Sequence, residues 1–426
     1  MDQPSAKRRL RPSRIRGRIH TLDSLRHRDF RFLWLSTLSV SGGFWTQIVV
    51  IGWFTYDRTG SPLLTSLVLG MDSLPFLIAG PVGGVLADTW DRRKLLMAAT
   101  VYQILVTTGF ATVLIIDLGQ TWHIFVFVFA MGASWAISEP SKSALIPNVV
   151  PSSGLVNAFA LNTLAFGASR LVMPLIGGAL VVAAGPGPTL LVSSTLYALT
   201  FVSTRAIGTP APRERVDGGV RPLRRFLQGA GYVRDNRVIL GLMMLLGAAA
   251  LMFFPFVHGL LPVYASDVYG VDAAGLGLLM SLIGAGNIVG TVVAASVGNV
   301  RRKGVFIVVS LAVVAVAMAG FSRVSGMAPA APLLMIANGA LMTFLSILSA
   351  SVNSIVPDAL RGRVASISTM TFGIFPAGSL IAGAMAQVMG VQDATLVAAA
   401  ALVALSAAIL LKFPQILAMG RDADLA

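Results

Sequence analysis

The chain has no cysteine, which excludes disulfides, thiolate metal sites and thiol nucleophiles. Charge is also scarce: 12% of residues are charged, against roughly 25% in a soluble domain. Acids are the rarer sign, with 18 Asp and Glu against 32 Lys and Arg. The four histidines, His20, His27, His123 and His258, are too scattered to form a metal cluster. No Gly-x-x-x-x-Gly-Lys-(Ser/Thr) segment is present, so the common phosphate-binding loop is excluded. No nucleophile, histidine and acid can be assembled into a catalytic set. The expectation is a protein that is not an enzyme and uses no cofactor or metal.

What the chain does have is apolar length. Hydrophobic residues make up 55% of it, in runs of about 20 or more separated by short polar islands. Twelve membrane spans are expected, at about 31–55, 62–87, 95–116, 122–140, 155–183, 189–207, 238–265, 273–299, 304–322, 328–352, 365–389 and 394–414. Basic residues test the topology, because Lys and Arg concentrate in cytoplasmic loops. With residue 1 cytoplasmic, all Lys and Arg except Arg58, Arg170 and Arg323 fall in cytoplasmic segments. The sequence therefore predicts a multi-pass protein of the cell inner (plasma) membrane with both termini cytoplasmic. The net charge of +14 follows from this topology, and no nucleic-acid partner is expected. Residues 1–30 form a basic tail. The apolar segment after it is longer than the ~7–15 residues of a signal peptide's core, so the tail is expected to stay as an anchor on anionic headgroups.

The chain also repeats itself. Asp57-Arg58-Thr59-Gly60 matches Asp267-Val268-Tyr269-Gly270, Arg92-Arg93-Lys94 matches Arg301-Arg302-Lys303, and Ile146-Pro147-Asn148 matches Val356-Pro357-Asp358, at offsets of 210, 209 and 210. Three matches at nearly one offset, in order, indicate two homologous six-span halves, 31–207 and 238–414. They are joined by a cytoplasmic loop at 208–237 whose Leu223, Phe226, Leu227, Ala230 and Val233 form an amphipathic stripe. Residues 415–426 complete the chain as a cytoplasmic tail. The fold class is all-α: twelve transmembrane helices in two pseudo-symmetric six-helix bundles. Gly284, Gly286 and Gly290 imitate a dinucleotide-binding fingerprint, but they sit inside a span with no preceding strand and are read as helix packing.

Between the second and third spans lies Gly83-Gly84-Val85-Leu86-Ala87-Asp88-Thr89-Trp90-Asp91-Arg92-Arg93-Lys94. This stretch resembles the signature loop of the major facilitator superfamily, with Thr89 in place of the usual cation and Asp91 in place of Gly. Together with Arg28-Asp29-Phe30-Arg31-Phe32-Leu33-Trp34, Ala144-Leu145-Ile146-Pro147 and Pro357-Asp358-Ala359-Leu360-Arg361-Gly362-Arg363-Val364, it resembles the drug and siderophore exporter branch of that superfamily. The branch includes the enterobactin exporter and macrolide efflux proteins. The resemblance implies the major facilitator fold and a secondary active transporter. Its expected activity is proton-coupled efflux of amphipathic small molecules, drugs or siderophores, by alternating access. Its partners are a small-molecule substrate, protons and the lipid bilayer, and it is expected as a monomer. Alternatives are a lysolipid flippase-like carrier or an importer and, from another class, a transport-inactive sensor or scaffold.

Candidate residues follow from charge and depth. A charge inside the bilayer costs about 2.5–3.5 kcal/mol on insertion scales and needs a reason. Asp72 and Arg170 each lie about 22 Å from the cytoplasmic end of their span, so they can share a level. They are the proton-coupling candidates, with Arg170 acting on Asp72 or on substrate. Gly84, Asp88, Arg92, Arg93 and Glu139 are expected to form a conformational latch between the halves. Phe44, Trp45, Gln47, Trp53, His258, Asn287 and Asn338 are candidates for the substrate cavity. Pro174, Gly177 and Gly178 resemble the span-5 antiporter motif, with Met173 where Gly is usual, and are expected to kink and pack that helix.

Overall fold

The structure, a computed structural model, describes residues 22–75, 91–208, 222–297 and 302–419. Among them there is no strand, and nine helices are long and apolar enough to cross a bilayer. The first six spans are α1 (Arg28–Thr59), α2 (Pro62–Met71), α3 (Arg92–Ile115), α4 (Thr121–Val149), α5 (Leu155–Ala184) and α6 (Pro186–Ala206). The short α7 (Pro222–Asp235) lies between the halves. The second six are α8 (Arg237–Met252), continued by wider turns to Val268, then α9 (Ala273–Val297), α10 (Lys303–Arg323), α11 (Met327–Ile355), α12 (Asp358–Thr371) followed by α13 (Phe375–Met389), and α14 (Val391–Lys412).

Local chemistry explains the boundaries. Gly60 and Gly270 end their spans with φ of 56° and 61°, the left-handed conformation glycine adopts without strain. This is why the repeated Asp-x-x-Gly keeps its glycine. Asp91 caps α3, its Oδ1 accepting from the backbone N–H of Arg93 (2.9 Å) and Lys94 (3.1 Å). The departure from the family's Gly at position 91 is therefore a helix cap. Asn236 does the same for α8, and Asp272 for α9.

Three spans depart from the expected continuous helices; the eleventh passes through a 3-10 turn at Phe372–Ile374 between α12 and α13. α2 stops at Met71, the chain turns at Asp72 and Ser73, and helix resumes at Leu74. The cause is Pro75, which has no N–H for the carbonyl of Met71 and crowds it. Ser73 closes the turn, its N–H and Oγ both bonding to Gly70 O (3.2 and 2.8 Å). In the seventh span, wider π-type turns occupy Pro255–Gly259 and Tyr264–Val268. Pro255 and Pro262 each remove a backbone donor there, and such turns relax the ladder around them.

Helices pack mainly within their own half: α1 on α5 and α6, α3 on α4 and α6, α9 on α11, α10 on α11 and α14. Gly286 and Gly290 serve the α9–α11 contact, since a Cβ at Gly290 would lie 2.0 Å from Gly339 O. The nucleotide-like glycines are thus packing residues, as small residues are in membrane helix pairs. The halves meet along two seams, α5 against α9 and α2 against α13. α7 packs on α12, where Arg363 Nη1 donates to Gln228 Oε1 (2.7 Å).

Candidate functional site

The two seams enclose a cavity of about 370 Å³ with walls from both halves. Four of the proposed residues line it: Asp72, Arg170, Trp45 and His258. Asp72 reaches it because α2 is broken at that residue. Arg170 comes from α5, Trp45 from α1, and His258 from the first π turn of the seventh span.

The offset of 210 reappears in the lining. Trp45 and Pro255, Ile48 and His258, Gly70 and Met280, Ser73 and Ile283 are pairs of lining residues separated by that interval. The repeat thus places equivalent positions of both halves around one space. Trp135, Phe254, Phe375 and Ser379 also line it and were not among the expected residues. For Phe254 the signal was available, because it is the repeat partner of Phe44.

Arg170 and His258 are held firmly. Arg170 lies over the Trp45 ring, 4.6 Å from its centroid. With the Asn287 amide oxygen turned toward the guanidinium, it accepts from Nη1 (2.8 Å) and Nε (3.1 Å). Asn287 belongs to α9, so these bonds cross between the halves. His258 Nε2 and Asn338 Oδ1 are 2.9 Å apart, and Asn338 Nδ2 donates to Leu334 O (2.9 Å). That second bond fixes the amide, so Nε2 carries the proton and Nδ1 is the ring's other nitrogen. Among the described residues no ion pair joins Asp72 to Arg170; the two groups share the cavity instead.

Other expected residues stand elsewhere. Gln47, Asn287 and Asn338 do not line the cavity. Gln47 is buried and accepts from Tyr197 Oη (3.0 Å), while the two asparagines stand behind Arg170 and His258. The physical reason is common to all three: an amide in an apolar interior needs a polar partner more than it needs an opening. Phe44 packs between Trp45 and Trp135, and Trp53 against the apolar cores. In the proposed latch, Gly84 and Asp88 lie outside the described residues. Arg92 Nη1 donates to Ala144 O (3.1 Å), and Arg93 donates to Thr204 O (3.3 Å) and Arg205 O (2.5 Å). These bonds tie the start of α3 to the ends of α4 and α6 in the same half. Among the described residues Glu139 pairs with Lys142 at 2.7 Å. Lys142 is buried and faces the Trp135 ring at 5.6 Å, so it needs a local countercharge, which the i,i+3 spacing supplies.

Pro174 lies inside α5. A Cβ at Gly178 would meet Ala273 O at 2.3 Å, across the seam, whereas one at Gly177 would meet α1 of the same half at Thr46. At the end remote from the basic loops the seams are tight. Gly383 packs on Pro62 and Leu63, and the Tyr56 hydroxyl donates to Asp267 across the halves.

Comparison with known proteins agrees with this architecture. A family profile described as "Transmembrane secretion effector" matches residues 19–424. The "Multidrug efflux pump Tap" of Mycobacterium tuberculosis is 25% identical over 411 residues, 92% of this chain and 94% of the pump. "Macrolide efflux protein A" of Streptococcus pyogenes is 20% identical over 287 residues, 66% of this chain and 69% of that protein. Among solved structures, a nucleoside transporter, NupG, superposes with a TM-score of 0.75 at 14% identity, covering 90% of this chain and all of that one. A bacterial homologue of the human lysosomal transporter Spinster gives 0.69 at 13% identity, covering 92% and 97%.

Proposed function

Because the chain belongs to the transmembrane secretion effector family of the major facilitator superfamily, we propose that it exports amphipathic small molecules by alternating access, in exchange for protons carried by Asp72. The family is one of membrane transporters and not of enzymes, and both relatives named above are efflux proteins. One observation carries the reading. An acid, a cation and a ring of aromatics from both halves converge on a single cavity where a membrane helix is interrupted. Interrupted helices and membrane-embedded charges mark the sites of secondary transporters.

The alternation has a physical basis in the contacts. The tight seams run from the cavity to the end remote from the basic loops, and the positive-inside rule makes that end extracytoplasmic. The arrangement supports a state closed to the outside. The bonds from Arg92 and Arg93 to Ala144, Thr204 and Arg205 hold the start of α3 to its own half, which supports movement of that half as a rigid body. The latch reading keeps Asp88 as the group that meets the other half when the inner side closes; Asp88→Asn should reduce transport without reducing membrane abundance.

The cavity reading is tested in everted vesicles with an imposed pH gradient, acid inside. Wild-type protein should accumulate a fluorescent amphipathic drug, and Asp72→Asn should lose the gradient-driven component. Gradient-driven accumulation unchanged in Asp72→Asn refutes the coupling role.

A further inference from the structure

From the unequal state of the two charges in the cavity, and resting on the export reading above, we infer that the substrates are zwitterionic amphipaths. Such a molecule places a cationic or N–H donor group at Asp72, a carboxylate or similar acceptor at Arg170, and a planar apolar body between the aromatic walls. The two charges stand at different stations. Arg170 is immobilised on Trp45 and Asn287, which use one ring face and two of its five N–H donors. The remaining donors need an acceptor. The indole Nε1–H of Trp45, buried beside it, has no partner among the described residues. The free N–H groups of Arg170 call for an acceptor with lone-pair-rich oxygens, and a carboxylate supplies two. Asn287, a neutral acceptor, orients the guanidinium without neutralising it.

The Asp72 corner has the opposite character. Its carboxyl has no ion-pair partner among the described residues, and α2 ends there with the negative pole of its dipole. Both features attract a cation. The walls between the corners are flat and apolar: Trp45, Trp135, and the tilted pair Phe254 and Phe375, whose centroids are 4.9 Å apart.

Linkage excludes the simpler substrates. Exchange requires that proton and substrate displace one another at Asp72. A purely anionic substrate would bind best when Asp72 is protonated, so it would travel with the proton and not against it. A purely cationic substrate competes with the proton as required but faces the fixed Arg170 charge with nothing to offset it. A molecule carrying both charges meets each requirement.

The experiment uses purified full-length protein and a matched dye pair, a rhodamine with a free carboxylate and its methyl ester. Both share the cationic xanthene body, and only the first is a zwitterion. In fluorescence polarisation the zwitterion should bind about tenfold tighter, the usual scale of one added charge-assisted hydrogen bond. Arg170→Gln should abolish the preference. Asn287→Asp, which gives Arg170 an internal carboxylate, should weaken the zwitterion and spare the ester. Equal or tighter binding of the ester by wild type, equal weakening of both dyes by Asn287→Asp, or binding of neither dye overturns the inference. Transport in proteoliposomes is scored separately. A binding preference without gradient-driven movement would remove the export reading alone, whereas equal binding with Asp72-dependent movement would remove this inference alone.

Discussion

Tyr56→Phe isolates one bond between the halves. The Tyr56 hydroxyl donates to Asp267 at the end remote from the basic loops, joining the first span to the seventh. Tyr56 is 7% exposed, so Phe fits the same space, while Asp267 is exposed and can be hydrated once its donor is lost. The substitution therefore removes the net strength of a bond to a charged acceptor and leaves no stranded buried charge. Bonds of this type contribute about 1.5–3 kcal/mol, and solvent access to Asp267 places this one near the lower figure. A change of 1.4 kcal/mol is tenfold in a two-state equilibrium, so the population open at this end should rise about tenfold. The absence of cysteine provides the assay: Ser73→Cys introduces a single thiol in the cavity with no background. A membrane-impermeant maleimide added from the extracytoplasmic side should label it about ten times faster in the Tyr56→Phe background. Asp267→Asn keeps an acceptor and should give a smaller increase. A labelling rate unchanged by Tyr56→Phe would show that the bond does not hold this end closed.

Four further substitutions test other parts of the structure. Pro75→Ala restores the donor for Met71 O and lets helix run through Asp72, so transport should fall at least tenfold at unchanged or higher melting temperature; a normal rate would detach the break from function. Gly290→Ala sets a Cβ 2.0 Å from Gly339 O, and separation of α9 from α11 should cost about 1–3 kcal/mol, read as a lower Tm in detergent. Glu139→Gln strands Lys142, which is 3% exposed, and should destabilise by about 3–5 kcal/mol. Lys142→Met leaves a half-exposed Glu139 that water can reach, so it should be the milder of the two in thermal unfolding; the reverse order would show that Lys142 has another countercharge.

The parts of the site legible in the sequence were those where one residue breaks a strong pattern. Asp72 and Arg170 stand out because an apolar run has no other use for a charge, and helix rise alone put them at one depth. The amides were not legible in the same way. Gln47, Asn287 and Asn338 are as anomalous in a span as a charge, yet each can be satisfied by one neighbour, and the identity of that neighbour depends on packing. They were expected in the lining and stand behind it. Trp135 and Phe375 carried no signal, since aromatics are common in membrane helices. The interruption of α2 was readable from Pro75, but a proline in a span is equally compatible with a kink, and only packing decides between kink and break. Glu139 shows the same ambiguity from the other side: the acid was visible, and the buried lysine three residues on decided its partner.

The repeat and the chemistry divide the cavity between them. Paired lining positions at an interval of 210 supply Trp45, Pro255, Ile48, Gly70, Met280 and Ile283, which are shape-forming residues on both sides of the axis. The charges have no such counterparts: Asp72 corresponds to Leu282 and Arg170 to Leu380. His258 likewise corresponds to Ile48. Duplication of the second half alone would give a symmetric chamber with neither charge and little means of distinguishing substrate from lipid. Recognition requires a difference between the halves, and here the first half carries both charges while the second supplies Asn287 to position one of them. Because Arg170 and Asn287 lie on opposite sides of a seam, any rocking of one half against the other changes the setting of the guanidinium. On the proposed export reading, the group that meets the substrate and a contact that changes with the rocking would be the same, which would couple binding to the direction the cavity faces.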